Sequence, residues 1–239
     1  MSFISSLFSK NVPVDLAGLT DWHSHILPGV DDGVQSLDES LEILNEYEAT
    51  GLSDLWLTPH IMEDIPNETA YLKERFEELS SAYTGNIKLH LASENMIDNI
   101  FAERLQNNDL LPIGEDGKTL LVETSYYNSP MRFRETLNEI KSKGYYPLLA
   151  HPERYFYIDS FSTYRELKQQ GVLFQLNLMS LCGHYGPVVK EKAMKMLSEG
   201  MYDRLGSDLH RIEHLHIIRG MKLPKSVIQK LEALSSKPL

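Results

Sequence analysis

Short apolar runs and longer amphipathic segments alternate along almost the whole chain, and this alternation is the strongest constraint on its fold. The apolar runs have the length of β-strands and are bounded by Gly, Pro, Asn or Asp, whereas the segments between them have helical periodicity. The predicted strands are 16–22, 54–58, 87–92, 119–123, 146–150, 172–177 and 202–206. The predicted helices are 37–50, 68–83, 132–143, 164–170, 188–199, 212–219 and 226–234, and glycines at 51, 144, 171 and 200 are placed to cap helix ends. This order is typical of βαβ units and a parallel sheet.

Nearly every predicted strand ends in, or is soon followed by, a histidine or an acidic residue. These residues are His23 and His25, His60, Glu94, Glu123, His151, Asp208 and His210. In a parallel barrel the C-terminal strand ends meet at one mouth, so these side chains would lie together despite their separation in sequence. An open, doubly wound sheet would gather them less well. The pattern therefore predicts an α/β barrel with a polar site at its C-terminal mouth.

The chain fits a single domain, because its 239 residues contain no linker, repeat or low-complexity tract. We predict an N-terminal arm over residues 1–18, with a short amphipathic segment at 1–10, and one barrel over 19–239. A formal net charge of −11 argues against a nucleic-acid partner. One cysteine, Cys182, and no apolar run of membrane-spanning length predict a cytoplasmic protein without stable membrane insertion.

The segment Asp21-Trp22-His23-Ser24-His25 places two imidazoles two residues apart, on one face of an extended chain. Taken alone, such a pair is explained equally well by a shared metal ion and by two incidental polar residues in a loop. The repeated placement of histidine and carboxylate at buried strand ends is harder to explain without a ligand, because an unpaired buried charge costs several kcal/mol. Imidazole and carboxylate together suit zinc, manganese or iron. The sequence thus predicts bound cations at the mouth.

The motifs DWHSHILPGVDDG, LTPH, SEN, LVE, LAHPERY and GSDLH occur in this order between Asp21 and His210. Together they resemble the motifs of the PHP (polymerase and histidinol phosphatase) superfamily. More narrowly, they resemble the bacterial protein-tyrosine phosphatases of capsule and exopolysaccharide loci, the CpsB/YwqE type. The resemblance implies a distorted seven-stranded (β/α) barrel, a PHP domain, with three divalent ions at its C-terminal mouth. Manganese is the commonest ion in such sites, with iron and zinc as alternatives.

Carried onto this sequence residue by residue, the resemblance implies nine metal ligands, which are His23, His25, Asp32, His60, Glu94, Glu123, His151, Asp208 and His210. The implied grouping puts His23, His25, Glu94 and Asp208 on one ion, Glu94, Glu123 and His151 on the second, and Asp32, His60 and His210 on the third. Asp31 is the less favoured member of the adjacent acidic pair. Arg154, in the HPER motif, would face the phosphate.

Such an ensemble supports hydrolysis of a phosphoric monoester by a metal-activated hydroxide, because clustered divalent ions lower the pKa of water towards neutrality. No cysteine nucleophile is needed, and we expect Cys182 to be structural. Arg154 and the cations would neutralise the charge that develops on the phosphoryl oxygens. Asp208, His210 or a metal-bound water could supply the proton for the leaving group, and the sequence does not choose among them.

Three functions are consistent with these residues. The first is a metal-dependent protein-tyrosine phosphatase acting on the tyrosine-rich tail of a bacterial tyrosine kinase that controls capsule or exopolysaccharide synthesis, as the resemblance implies. The second is a small-molecule phosphatase of the same superfamily, with a substrate like histidinol phosphate in a deep, enclosed pocket. The third is a metal-stabilised binding protein without catalysis. The oligomeric state stays open.

Several residues outside the metal motifs have weaker expectations. His90 is predicted to be a satisfied strand residue, His184 to line the mouth, and His214 and His216 to face solvent. Aromatic residues in the loops 125–132 and 155–157 could stack on a substrate ring or pack on neighbouring loops. Arg132, Arg134 and Arg211 are expected to be surface or structural residues rather than anion ligands.

Overall fold

The computed structural model describes residues 11–235, so the predicted amphipathic segment at 1–10 lies outside the described residues. The strands are β1 (Asn11–Pro13), β2 (Thr20–Ser24), β3 (Asp54–Leu57), β4 (His60–Ile61), β5 (Lys88–Leu91), β6 (Glu94–Met96), β7 (Thr119–Glu123), β8 (Tyr146–Ala150), β9 (Leu173–Asn177), β10 (Arg204–Gly206) and β11 (Lys222–Pro224). The helices are α1 (Leu37–Glu48), α2 (Thr69–Ala82), α3 (Asn99–Asn107), α4 (Phe133–Ser142), α5 (Phe161–Gln169), α6 (Leu178–Cys182), α7 (Pro187–Ser198), α8 (Ile212–Gly220) and α9 (Lys225–Ser235).

Parallel strands form a curled wall. One sheet has the order β10-β9-β8-β7-β6-β4, and a second has the order β2-β3-β5. Two residues separate β3 from β4, and two separate β5 from β6, so each pair acts as one interrupted strand. The wall closes where the His25 N–H donates to the Leu209 carbonyl at 2.8 Å and the Asp208 N–H donates to the His23 carbonyl at 2.8 Å. The fold is therefore the distorted seven-stranded (β/α) barrel that the sequence predicted.

All seven predicted strands and all seven predicted helices are present, with shifted ends. The first strand shifts most, because Leu16 and Leu19 form a turn and β2 then runs through His23 to Ser24. The glycines predicted to cap α1, α4, α5 and α7 all have positive φ. Because glycine has no Cβ, these residues adopt a positive φ at no steric cost, which ends each helix and lets the chain turn towards the next strand.

Apart from β4 and β6, which continue two predicted strands, four strands and helices had no counterpart in the sequence prediction. The helix α3 begins at an N-cap, Asp98, whose side chain accepts from the Phe101 N–H, and α6 has only five residues, too few for a readable period. The strands β1 and β11 pair antiparallel away from the barrel and contain Pro13 and Pro224, residues that usually argue against a strand. The division into an arm at 1–18 and a barrel at 19–239 stays a prediction.

Apolar side chains pack on both faces of the barrel wall. Trp56, Leu121 and Leu148 belong to a cluster inside the barrel, while Leu120 and Val122 face the surrounding helices. Because successive side chains alternate across a strand, Leu121 and Glu123 point to the same interior. The strand that fills the barrel therefore also delivers a carboxylate to its mouth. In residues 11–235, no helix is both long and apolar enough to cross a membrane.

Candidate metal centre

The nine ligands predicted from the sequence lie together at the C-terminal mouth of the barrel. His23 and His25 lie at the end of β2, Asp32 in the loop that follows, His60 at the start of β4, Glu94 at the start of β6, Glu123 at the end of β7, His151 after β8, and Asp208 and His210 after β10. All of them except Asp32 and His210 are buried. Strand register, rather than sequence proximity, brings them together.

A first group consists of His23, His25, Glu94 and Asp208. The Nε2 atoms of the two histidines lie 3.0 Å apart, and Glu94 Oε2 is 3.2 Å from His23 Nε2 and 3.3 Å from His25 Nε2. Asp208 Oδ1 is 3.5 Å from each imidazole nitrogen. Gly206 makes room for this approach, since a Cβ there would lie 2.5 Å from the Cβ of His23. Potential ligand atoms of His23, His25 and Glu94 therefore lie within 4.8 Å of one another, and Asp208 adjoins the two imidazoles.

A second group shares Glu94 with the first. His60 Nδ1 lies 3.2 Å from Glu94 Oε2 and 3.1 Å from Glu123 Oε1. His151 Nε2 lies 3.1 Å from Glu94 Oε1 and 3.9 Å from Glu123 Oε2. Glu94 thus faces both groups, as the bridge predicted from the sequence would.

A third group surrounds the exposed carboxylate of Asp32. Its Oδ1 lies 3.5 Å from His60 Nε2 and 3.5 Å from His210 Nε2. The His25 ring stacks on that of His210 with centroids 4.1 Å apart, and it lies 4.3 Å from the His60 ring at a tilt of 40°. This arrangement differs from the predicted grouping, because His60 offers one nitrogen to the second group and one to the third, and His25 adjoins the third as well as the first.

The residues at the mouth fit bound divalent cations. His60 Nδ1 and Glu94 Oε2 are buried and have no hydrogen-bond partner, which is costly unless a ligand engages them. Ligand atoms in each of three groups, His25–Asp32–His60–His210, His23–His25–Glu94 and His60–Glu94–Glu123, lie within 4.8 Å of one another. Such mixed nitrogen and oxygen donors suit first-row ions, with bonds of about 2.1 Å.

Polar neighbours fix the orientation of the histidines. His25 Nδ1 lies 2.8 Å from Asp31 Oδ2, and His23 Nδ1 lies 3.0 Å from the side-chain oxygen of Gln175. Each contact assigns the proton to Nδ1 and leaves Nε2 free to bind a cation, an arrangement common in metal sites. Asp31, expected to be the weaker ligand candidate, is thus a positioning residue. No sequence pattern indicated Gln175, which lies 24 residues beyond the nearest predicted ligand.

Arg154 stands beside the first group, at the edge of the cleft. Its guanidinium donates to Asp208 Oδ2 at 2.6 Å and lies between two tyrosine rings, 4.4 Å from the centroid of Tyr126 and 4.1 Å from that of Tyr185. The amide of Asn177 also donates to Asp208 Oδ2, at 2.9 Å. Arg154 and Asn177 therefore hold one oxygen of Asp208 and leave the other facing the histidines.

Two site residues have left-handed backbone conformations, which side chains other than glycine rarely adopt. The φ angles are 33° at His151 and 54° at Asp208, and Asn108 is the third such residue in the described part of the chain. His, Asp and Asn tolerate this conformation better than most residues, and such backbone is common at functional sites. Glu153 lies two residues after His151 and directly before Arg154. It is fully buried and accepts from the Asn177 N–H, Ser180 Oγ and Tyr202 OH. These hydrogen bonds fix the HPER turn.

The remaining histidines and arginines divide between expected and unexpected positions. His184 lines the cleft and His90 bonds Asp54 at 3.0 Å, as predicted. The prediction that His214 faces solvent is wrong, because the His214 side chain is buried, with 7% exposed, and its Nδ1 accepts from the His210 N–H. His216 is exposed, as predicted. Burial and the positive charge of Arg211 lower the pKa of His214 to about 4, so its imidazole is neutral.

The three arginines outside the motifs occupy two kinds of position. Arg132 and Arg134 form exposed ion pairs, whereas Arg211 lines the cleft.

Charges within the mouth compensate one another. Burial disfavours the imidazolium form of His23 and so lowers its pKa. The negative charges of Glu94 and Asp208 outweigh burial and raise the pKa of His23 to about 9. Burial likewise raises the pKa of Glu94, yet the charges of His23 and His60 hold it well below its usual range. Protons on the imidazoles therefore balance the carboxylates when no cation does so.

This balance predicts that cation binding releases protons. Only the neutral imidazole of His23 can bind a cation, and with a pKa near 9 it is largely protonated at neutral pH. Apparent affinity should therefore rise as the pH increases towards 9 and level off above it. Calorimetric titration with Mn²⁺ in two buffers of different ionisation enthalpy measures the proton release directly. Equal heats in both buffers would contradict the assignment of His23 as a ligand.

Comparisons with known proteins agree with this geometry. The sequence profile of the family described as capsular polysaccharide synthesis, CpsB/CapC, matches residues 19–226. A protein named CapC from Staphylococcus aureus is 29% identical over 199 residues, which cover 81% of this chain and 78% of that protein. Tyrosine-protein phosphatase YwqE from Bacillus subtilis (strain 168) is 27% identical over 232 residues, covering 90% of this chain and 91% of that protein.

A solved structure has the same fold. It comes from the crystal structures of YwqE from Bacillus subtilis and CpsB from Streptococcus pneumoniae, described as unique metal-dependent tyrosine phosphatases. Its TM-score is 0.75 at 24% sequence identity, and the match covers 92% of this chain and 96% of that chain. The likeness extends over the whole barrel described above.

Proposed function

This chain belongs to the CpsB/CapC family of capsular polysaccharide synthesis, and from that premise we propose that it is a metal-dependent protein-tyrosine phosphatase. The observation that carries the proposal is the position of Arg154, which is stacked between Tyr126 and Tyr185 at the edge of a cluster of histidines and carboxylates. A guanidinium next to a cation site is suited to a phosphate dianion, because it can donate two hydrogen bonds to two of its oxygens.

The proposed site holds three divalent ions, with Mn²⁺ as the favoured ion, on the nine ligands described above. When bound, these ions supply Lewis-acid charge and a water whose pKa is lowered towards neutrality. Glu94 holds two groups together, and Asp31 and Gln175 keep the imidazoles of His25 and His23 in the orientation for binding. In a chain of net charge −11, this positive centre attracts the anionic substrate.

Arg154 neutralises the charge that develops on the phosphoryl oxygens as the bond to the tyrosine oxygen breaks. Burial raises the pKa of Asp208, but the charges of His23, His151 and Arg154 outweigh burial and hold that pKa well below its usual range. Asp208 is therefore ionised and cannot donate a proton, so His210 and a water at the cation site remain of the three proton sources considered above. Demand for a proton is modest, because the leaving phenol has a pKa of about 10.

An open cleft favours a protein substrate over a small metabolite. Its volume is about 370 Å³, and exposed residues such as His184 and Arg211 lie at its rim. Tyr126 and Tyr185 present aromatic faces beside Arg154, where a phosphotyrosine ring can pack. The physiological substrate in this proposal is the tyrosine-rich tail of a bacterial tyrosine kinase of the capsule or exopolysaccharide pathway, and the phosphatase acts on it in the cytoplasm.

A comparison of substrates tests the proposal. Protein loaded with Mn²⁺ should hydrolyse a phosphotyrosine peptide with a higher kcat/KM than a phosphoserine peptide or histidinol phosphate. Faster turnover of histidinol phosphate would keep the metal site but assign it to small-molecule metabolism. Absence of turnover with all three substrates, in protein that retains its cations, would favour a non-catalytic binding protein.

A further inference from the structure

An exposed apolar surface lies next to the cleft. Tyr127 is 71% exposed and Phe156 48%, and we call these two residues the aromatic rim. Met131, four residues after Tyr127, is 101% exposed. The rings of Tyr127 and Phe156 stack with centroids 5.4 Å apart and planes 15° from parallel. A soluble protein seldom leaves neighbouring large apolar side chains in water unless they contact a partner.

The aromatic rim is held in place by hydrogen bonds between its two loops. The Phe156 N–H donates to the Tyr126 carbonyl at 2.7 Å, and the hydroxyls of Tyr157 and Thr124 lie 2.7 Å apart. Thr124 directly follows Glu123 at the metal centre. The rim is therefore fixed relative to the site, so binding to it costs little ordering of the protein.

The rim continues directly from the cleft. Tyr126 lines the cleft and packs on Arg154, and Tyr127 is the next residue. An extended peptide advances by about 3.4 Å per residue, so residues roughly one to three positions from a bound phosphotyrosine reach the rim. Beyond the rim lies a groove of about 400 Å³, whose lining includes Pro130, Met131 and Leu167.

We propose that the aromatic rim and this groove bind the segment of the substrate protein adjacent to the phosphotyrosine, through a large apolar side chain of that segment. The inference rests on the proposed phosphatase function and names the sequence that the site prefers. The groove is a poor site for an acidic segment. Its lining residue Arg134 is already paired with Glu166 at 2.8 Å, and Glu135 adds a negative charge to the lining. Tyr127 and Phe156 supply flat apolar faces for the contact.

Two peptides test the preference without altering the protein. Both carry one phosphotyrosine, and they differ only in whether the flanking residues are leucine and phenylalanine or glycine. The Mn²⁺-loaded protein should hydrolyse the apolar peptide with a kcat/KM about tenfold higher, mainly through a lower KM, because the rim contact is made equally in the ground and transition states. Equal values for the two peptides would overturn the inference and leave the phosphatase function intact.

A variant locates the preference on the rim. In the double variant Tyr127→Ser and Phe156→Ser, the ratio of kcat/KM for the apolar peptide to that for the glycine peptide should fall about tenfold, to near one. Tyr146→Ser is the matched control, since Tyr146 is 53% exposed but begins β8 at the opposite end of the barrel, and it should keep the wild-type ratio. An unchanged ratio in the double variant would contradict the proposal.

A second copy of the chain is the competing occupant. Sedimentation velocity over a range of concentrations distinguishes it, because our proposal expects the aromatic rim to contribute nothing to self-association. Dimerisation of the wild type that the double variant abolishes would assign the surface to subunit contact instead. Failure of the wild type to hydrolyse either peptide would instead overturn the phosphatase function itself.

Discussion

Replacing Arg154 with alanine should lower kcat/KM for a phosphotyrosine peptide by about 100- to 1,000-fold while leaving the bound cation content unchanged. The guanidinium lies at the cleft edge, 2.6 Å from Asp208 and between two tyrosine rings, so it is already placed where a phosphate must arrive. It is not a predicted ligand, and Asp208 keeps its hydrogen bond from Asn177 after the change. The loss should therefore fall on turnover rather than on the metal centre.

Arg154→Lys separates charge from geometry. Lysine keeps the positive charge but cannot donate two parallel hydrogen bonds or stack as a plane, so it should recover only part of the lost activity. Metal analysis and steady-state kinetics on the three proteins measure both quantities. Cation loss in Arg154→Ala would mean that Arg154 acts by holding Asp208, and full activity would remove it from phosphate binding.

Glu94→Gln should abolish both cation binding at the first and second groups and phosphatase turnover. Its Oε2 lies 3.2 to 3.3 Å from His23, His25 and His60, and its Oε1 faces His151. Glutamine removes the negative charge that these groups share, and loss of a direct, bridging ligand should weaken cation binding by more than the roughly 10- to 100-fold caused by loss of an outer contact.

The control for this change is Glu153→Gln. Glu153 is as fully buried as Glu94 but faces Asn177, Ser180 and Tyr202 rather than the ligand cluster. Burial raises its pKa, so a neutral side chain is tolerated there better than at Glu94. We expect this variant to keep its cations, as measured by elemental analysis. Similar cation loss in both variants would mean that any change to a buried glutamate disrupts the barrel.

The barrel and the cluster of histidines and carboxylates at its mouth were predictable because both depend on regular patterns. Alternation of strands and helices indicates parallel strands, and a polar residue at each strand end indicates the mouth. His60, Glu94 and Glu123 were identified in this way and lie together in the structure. The assignment of His60 to one group was too simple, since an imidazole between two groups can present a nitrogen to each.

The supporting residues could not be predicted in the same way. Gln175 and Asn177 lie two residues apart on β9, and only the strand register shows that they reach His23 and Asp208. Polar side chains near a strand end are common, and nothing in their spacing separates them from surface residues. His214 was misassigned because its helix was taken to expose it, whereas it turns back to accept from His210.

Rate measured against cation occupancy tests the central claim most directly. The protein would be stripped with a chelator, titrated with Mn²⁺, and assayed on a phosphotyrosine peptide at each step, with Cys182→Ser carried through in parallel. Our account predicts no turnover in the stripped protein, turnover that rises with bound Mn²⁺, and the same curve for Cys182→Ser. Undiminished turnover by the stripped protein, or its loss in Cys182→Ser, would contradict hydrolysis at the metal centre.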